Sequence, residues 1–270
     1  MRPSASSLFV VLGVVLAASL GVYARSASGG GDESAAPLPL PSDAARFGFE
    51  VRGRTGGDVA LLEATRAFEV ALGNGPLRGR PPEATAARRA AQVLSRELGR
   101  YGRPFLRRVH LAGVVLASGL TEGDTPIPSL PNVGGLLLLD VDASEVDLVR
   151  AVHHEVFHFF DLADDGRLAP DPGWAALSPK GLAYGSGGRT LRGAWAARAS
   201  EDLPGFVSAY ATSAVEEDKA ETFSFAVARP GELAPRLPRD AALAAKRAEI
   251  ARRVAAFDGS AARSLGLLTE

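Results

Sequence analysis

The sequence predicts an α+β domain, a small mixed sheet set beside one long helix that carries the functional residues. Three observations support this. Two apolar runs of strand length occur at 109–117 and 135–141, a helical apolar stripe follows the second run, and further stretches with helical spacing lie at 82–101, 214–228 and 239–257. With 270 residues and 46% hydrophobic content, the chain can bury a core.

Before the domain come two other segments. Arg2 and the free amino group precede an apolar run at 8–24 interrupted only by Gly and Ser, the pattern of an export signal over 1–24. Val22-Tyr23-Ala24 has the form of a small-residue cleavage site, while the run is nearly long enough to cross a bilayer as an anchor. The expected location is therefore outside the cytoplasm: secreted, periplasmic, or held at the outer face of the cytoplasmic membrane with 8–24 as the tether. Residues 25–43, with the Gly29-Gly30-Gly31 triplet and the Pro37-Leu38-Pro39-Leu40-Pro41 alternation, cannot bury enough apolar area to order themselves and read as a linker. The domain is expected over 44–270.

Within it, a short strand is expected at 47–51. Asp58 then caps a helix to about Leu72, with Leu61, Leu62, Thr65, Phe68 and Leu72 at helical spacing, broken by Asn74, Gly75 and Pro76. The helix at 82–101 places Ala90, Val93, Leu94 and Leu98 on one face and its arginines in solvent. The two apolar runs, joined through Gly123-Asp124 and Pro126, are neighbouring strands. Asp142, three residues before Glu145, forms a capping box for a helix with the stripe Val146, Val149, Val152, Val156 and Phe159 or Phe160. The loop-like stretch 164–201 carries Trp174, Tyr184 and Trp195, too many large aromatics for a spacer, and should pack beside a cleft. Helices at 214–228, ending before Pro230, and at 239–257 complete the domain.

Composition narrows the function. A net charge of -1 gives no basic field for a nucleic-acid backbone, and the absence of cysteine removes disulfides, thiolate catalysis and Cys-ligated metal. Any metal site must use His, Asp or Glu.

His154-Glu155-Val156-Phe157-His158 fits H-E-x-x-H. Residues four apart lie one above the other on a helix, so two imidazoles can reach one ion, and the intervening glutamate lies beside it as a general base. The motif implies one catalytic Zn2+ and a peptide or protein substrate. A catalytic zinc needs a third protein ligand, yet no histidine follows His158. His153 is one helical step of about 100° from His154 and reads as a packing or hydrogen-bonding residue. The third ligand is then a carboxylate, with candidates in the segment 210–221, where Glu217 and Glu221 share a helix face.

Three segments together resemble the gluzincin metallopeptidases related to the catalytic domain of anthrax toxin lethal factor: His154-Glu155-x-x-His158-x-x-Asp161, Phe206-Val207-Ser208-x-Tyr210-Ala211, and Glu217-Asp218-x-Ala220-Glu221-Thr222-Phe223. The resemblance spans roughly 136–225. It implies a zincin-like fold, Glu217 as third zinc ligand, Glu155 as general base and Tyr210 as the hydroxyl that stabilises the oxyanion. It also implies that Glu221 and Asp161 are carboxylates that orient the ligands. Lys219 departs from the family, which more often has an apolar residue there, and Glu216 is a competing neighbour of Glu217.

Other readings compete. Asp164 falls where a metzincin-like H-E-x-x-H-x-x-G-x-x-H/D would place its last ligand, but position 161 is Asp rather than the required Gly. A zinc-binding module without turnover is the non-enzymatic alternative. Ser186 in Gly185-Ser186-Gly187 reads as a loop rather than a nucleophile turn. A peptide substrate is expected to add to the edge strand at 135–141.

Overall fold

The computed structural model describes residues 38, 40–42, 44–72, 75–166, 171–181, 183–185 and 203–268. The expected signal, most of the linker, Ser186 and Trp195 lie outside them. Among the described residues, no helix is long and apolar enough to cross a membrane.

The domain is α+β with a mixed sheet. Its strands are β1 (Phe49–Arg54), β2 (Ala60–Ala64), β3 (Phe68–Leu72), β4 (Gly75–Arg80), β5 (Gly113–Glu122), β6 (Thr125–Pro126), β7 (Ser129–Val133) and β8 (Leu136–Asp140). β5 holds the sheet together. Its first half lies parallel between β2 and β8, with Leu62, Val115 and Leu138 in register, and its second half pairs antiparallel with β4 and β6. β1 flanks β2, and β7 closes the other side as the antiparallel neighbour of β8.

The expected helix over 58–72 is instead β2 and β3. Its leucines satisfy a helical spacing, but Leu61 and Leu62 are both buried because β2 is an interior strand with two covered faces. A continuous apolar run of that kind cannot be told from a helical stripe by period alone. Leu61, Val114, Leu116, Leu137 and Leu139 face a core shared with the helices, while Leu62, Val115, Leu136 and Leu138 face a second core with Phe49 and Phe68.

The helices are α1 (Ala84–Gly99), α2 (Arg103–Arg108), α3 (Glu145–Asp165), α4 (Pro172–Ala175), α5 (Val215–Ala228), α6 (Pro230–Leu233), α7 (Ala241–Phe257) and α8 (Gly259–Ser264). Val109, assigned above to a strand, caps α2, and the strand begins at Gly113. α3 is capped by Ser144, whose hydroxyl accepts from Asp147 N–H at 3.2 Å. Asp142 does not cap it, because its carboxylate takes the Ser118 hydroxyl at 2.9 Å and pairs with Arg80. Gly166, at φ 72°, ends α3 in the left-handed conformation that glycine adopts at no steric cost.

α3 is buried along most of its circumference, from Leu148 through Asp161 with few gaps. A helix covered all round must have neighbours on several sides; the sheet and α1 take one side of α3 and α5 another. α5 is itself wholly buried from Asp218 to Val227. These two helices carry the candidate site.

Candidate metal centre

α3 and α5 present three ligand atoms to one point. His154 Nε2 lies 3.1 Å from His158 Nε2 and 3.1 Å from Glu217 Oε2, and His158 Nε2 lies 3.6 Å from the same oxygen. Four-coordinate bonds of about 2.0–2.2 Å at tetrahedral angles put neighbouring ligand atoms roughly 3.3–3.6 Å apart, so this triangle is the right size to hold one small ion. Helix spacing brings the histidines together. Burial of α5 against α3 then fixes the distance from Glu217, a residue more than fifty positions away in the chain.

The fourth side opens to solvent. A cleft is lined by His154, Glu155, His158, Tyr210 and Glu217 on one wall and by residues 127–131 on the other. Glu155 accepts a hydrogen bond from the Ser129 hydroxyl at 2.5 Å through Oε1, while its Oε2 is buried with no hydrogen-bond partner among the described residues. A buried carboxylate oxygen left unbonded costs free energy unless something polar comes to it, as a water or substrate group in the cleft would. Tyr210 stands in a 3-10 turn (Tyr210–Ser213), its ring centre 6.0 Å from that of His154.

Glu221 lies one turn beyond Glu217 on the same face. Its Oε1 accepts from His154 Nδ1 at 2.9 Å, and its Oε2 takes the Ser208 hydroxyl at 2.5 Å and the Arg150 guanidinium. A ring that donates from Nδ1 keeps Nε2 for a metal. Burial alone would raise the pKa of Glu221, but the bond from His154 and the charge of Arg150 outweigh it and keep the carboxylate ionised. Glu217 is likewise held well below the usual carboxylate range, because bonds from His154 and His158 overcome the cost of its burial. Its neighbour Glu216 is shifted the other way, raised by burial and by the charge of Glu217, and is not among the three converging ligands.

The role expected of Asp161 is corrected. Asp161 does not orient a ligand histidine; its carboxylate is buried between Lys219 and Arg253, the latter at 2.9 Å. Two helical turns past His154, it meets Lys219 of α5 and Arg253 of α7 further along α3 and neutralises them there. Asp164, the last ligand of the disfavoured metzincin-like reading, lies on the still-continuing helix α3 and pairs with Arg253 at 2.7 Å. Position 161 is Asp rather than the glycine that reading requires, and the helix continues to Asp165.

His153 is a hydrogen-bonding residue: Tyr101 donates to its Nδ1 at 2.7 Å and its Nε2 donates to Glu97 at 3.1 Å. Burial lowers the pKa of His153 and raises that of Tyr101, which fits a neutral ring and an intact phenol. Lys219 is fully buried and answers Asp161 and Asp171. Trp174 and Tyr184, expected beside the cleft, do not line it; the indole N–H and the phenol each donate instead to Asp218 of α5 at 2.7 Å. Arg150 and Ser129 carry no signal in the sequence, and Ser208 stands in a motif segment without an assigned role. A buried arginine four residues before the motif looks in sequence like any helix-surface arginine, and only the fold shows that it faces Glu221.

In comparison with known proteins, no family model, no curated protein and no solved structure matches the chain.

Proposed function

We propose that the chain is a zinc-dependent metallopeptidase of zincin-like fold with a gluzincin ligand set. The observation that carries this reading is the convergence of His154, His158 and Glu217 on one point, with Glu155 and Tyr210 lining the same open cleft. Two imidazoles and one carboxylate with an open fourth side are the donor set of a catalytic rather than a closed structural zinc site. Zinc, when bound, supplies Lewis-acid chemistry that lowers the pKa of a water enough for attack at neutral pH.

The protein's own residues do the rest. His154 and His158 act as neutral ligands through Nε2. Glu221, locked by Arg150 and Ser208, holds the tautomer of His154. Glu155, held by Ser129, takes the proton from the attacking water and returns it to the leaving amine. Tyr210 donates a hydrogen bond to the developing oxyanion.

The substrate class is peptide or protein, met in the compartment to which the segment 1–24 delivers or tethers the chain. The expected docking edge moves. β8 is interior, flanked by β5 and β7, so an added strand would pair with β7.

The test is digestion of fluorescein-labelled casein by the zinc-loaded chain. Glu155→Gln should reduce cleavage by about two to four orders of magnitude while leaving one zinc bound. Equal cleavage in the variant, or none by the parent, removes the reading. Zinc retained without any turnover would instead identify a zinc-binding module.

A further inference from the structure

Ser208 stands two residues before Tyr210, is fully buried, and touches two parts of the site at once. Its hydroxyl donates to Glu221 Oε2 at 2.5 Å and accepts the N–H of Ala211 at 3.2 Å. A hydroxyl has one proton to give and lone pairs to receive with, so the two bonds coexist. Through its other oxygen Glu221 accepts from His154 Nδ1 at 2.9 Å. Ala211 follows Tyr210 in the 3-10 turn, where Ala209 occupies the N-cap and has no polar side chain to offer. Ser208 supplies the missing acceptor at the three-residue spacing of a capping serine. The backbone that leads into Ser208 is fixed separately, since Arg236 donates to Phe206 O at 2.5 Å and Lys246 donates to Gly205 O at 2.7 Å. The hydroxyl is therefore held in place rather than carried along by either partner.

We propose that Ser208 is a positioning residue that ties the carboxylate orienting His154 to the turn carrying Tyr210, so that one buried hydroxyl sets the metal ligand and the oxyanion donor against each other. This role rests on the peptidase reading of the cleft. Distance decides its effect. A donor stabilises an oxyanion only from about 2.7–3.1 Å, so a turn displaced by about 1 Å removes what Tyr210 contributes. Ala211 is itself buried, and without the hydroxyl its N–H loses its acceptor there, so the turn has to shift to find another. Glu221 keeps the Arg150 guanidinium as a partner, so the orientation of His154 suffers less than the placement of Tyr210.

Two measurements test this. In digestion of fluorescein-labelled casein at saturating zinc, Ser208→Ala should lower kcat about tenfold or more with KM within about threefold, the pattern of an interaction made only in the transition state. Tyr210→Phe should do the same, and the double variant should fall no more than about threefold below Tyr210→Phe, because Ser208 acts through Tyr210. Losses that multiply, or an unchanged kcat in Ser208→Ala, would overturn the inference. The second measurement reads no activity and leaves Ser208 in place. Amide hydrogen exchange of the zinc-loaded chain is followed by NMR, with Leu138 N–H of the interior strand β8 as the reference. In Glu221→Ala the hydroxyl loses its anchor, and Ala211 N–H should exchange about tenfold faster or more, relative to Leu138, than in the parent. An unchanged ratio would overturn the link, and it does so even where Ser208→Ala does not fold. A parent that cleaves no casein removes the peptidase reading, and the exchange ratio then decides alone whether Ser208 joins Glu221 to the turn.

Discussion

His154 is held at both ring nitrogens by carboxylates, Glu221 at Nδ1 and Glu217 at Nε2. Burial opposes a charge on this ring, yet the two acids and the nearby Glu155 push its pKa up to about 10 in the metal-free protein. The sign follows: a raised pKa means that this group stabilises the metal-free fold below its unfolded value near 6.5 and ceases to do so as the pH climbs to about 10. The same proton sits on the atom that must ligate, so it competes with the metal. Apparent zinc affinity should rise by about tenfold per pH unit between pH 6 and 8, measured by chelator competition, and a flat profile would show that His154 is not a ligand. Glu217→Ala should abolish stoichiometric zinc binding in the same assay while Glu216→Ala retains it. Glu221→Ala should weaken it by about 10–100-fold, the usual effect of losing the partner of a ligating histidine.

α5 shows how far an element could be read from the sequence. Its extent, 215–228, and its glutamates at one-turn spacing were legible, because a break before Pro230 and a helical period survive without tertiary context. Its surroundings were not. Asp218, Lys219 and Glu221 are all buried, and their partners Lys246, Asp161 and Arg150 come from α7 and α3, which no spacing within α5 can indicate. Ionic pairs between distant elements leave no periodic trace. β2 and β3 were misread for the opposite reason: Leu61, Leu62 and Phe68 keep a helical spacing by coincidence, and only the sheet reveals why adjacent leucines are both buried. Lys219 gives the element-scale prediction. Lys219→Met removes one cation from a buried cluster in which Arg253 remains, and should lower stability by about 3 kcal/mol in urea titration. It should leave zinc affinity within threefold, because the cluster lies behind α5. A large loss of zinc with unchanged stability would place Lys219 in the site instead.

At the scale of the molecule, the cleft is a seam. β7 and the sheet form one wall, and α5 with the turn at Tyr210 forms the other, with α3 running between them. An ion held by His154 and His158 on α3 and by Glu217 on α5 would cross-link two elements far apart in the chain, and its binding energy would be added to folding. At a free zinc concentration 1,000 times Kd the linkage is worth about 4 kcal/mol. For a domain of this size, a shift of about 2–4 °C per kcal/mol then predicts a melting temperature roughly 8–16 °C higher with zinc than with chelator, by scanning calorimetry. Glu217→Ala should melt alike in both conditions, since its remaining histidines share one helix and bridge nothing. A parent protein indifferent to zinc would mean that α3 and α5 hold their places by packing alone and that the three ligand atoms converge without an ion.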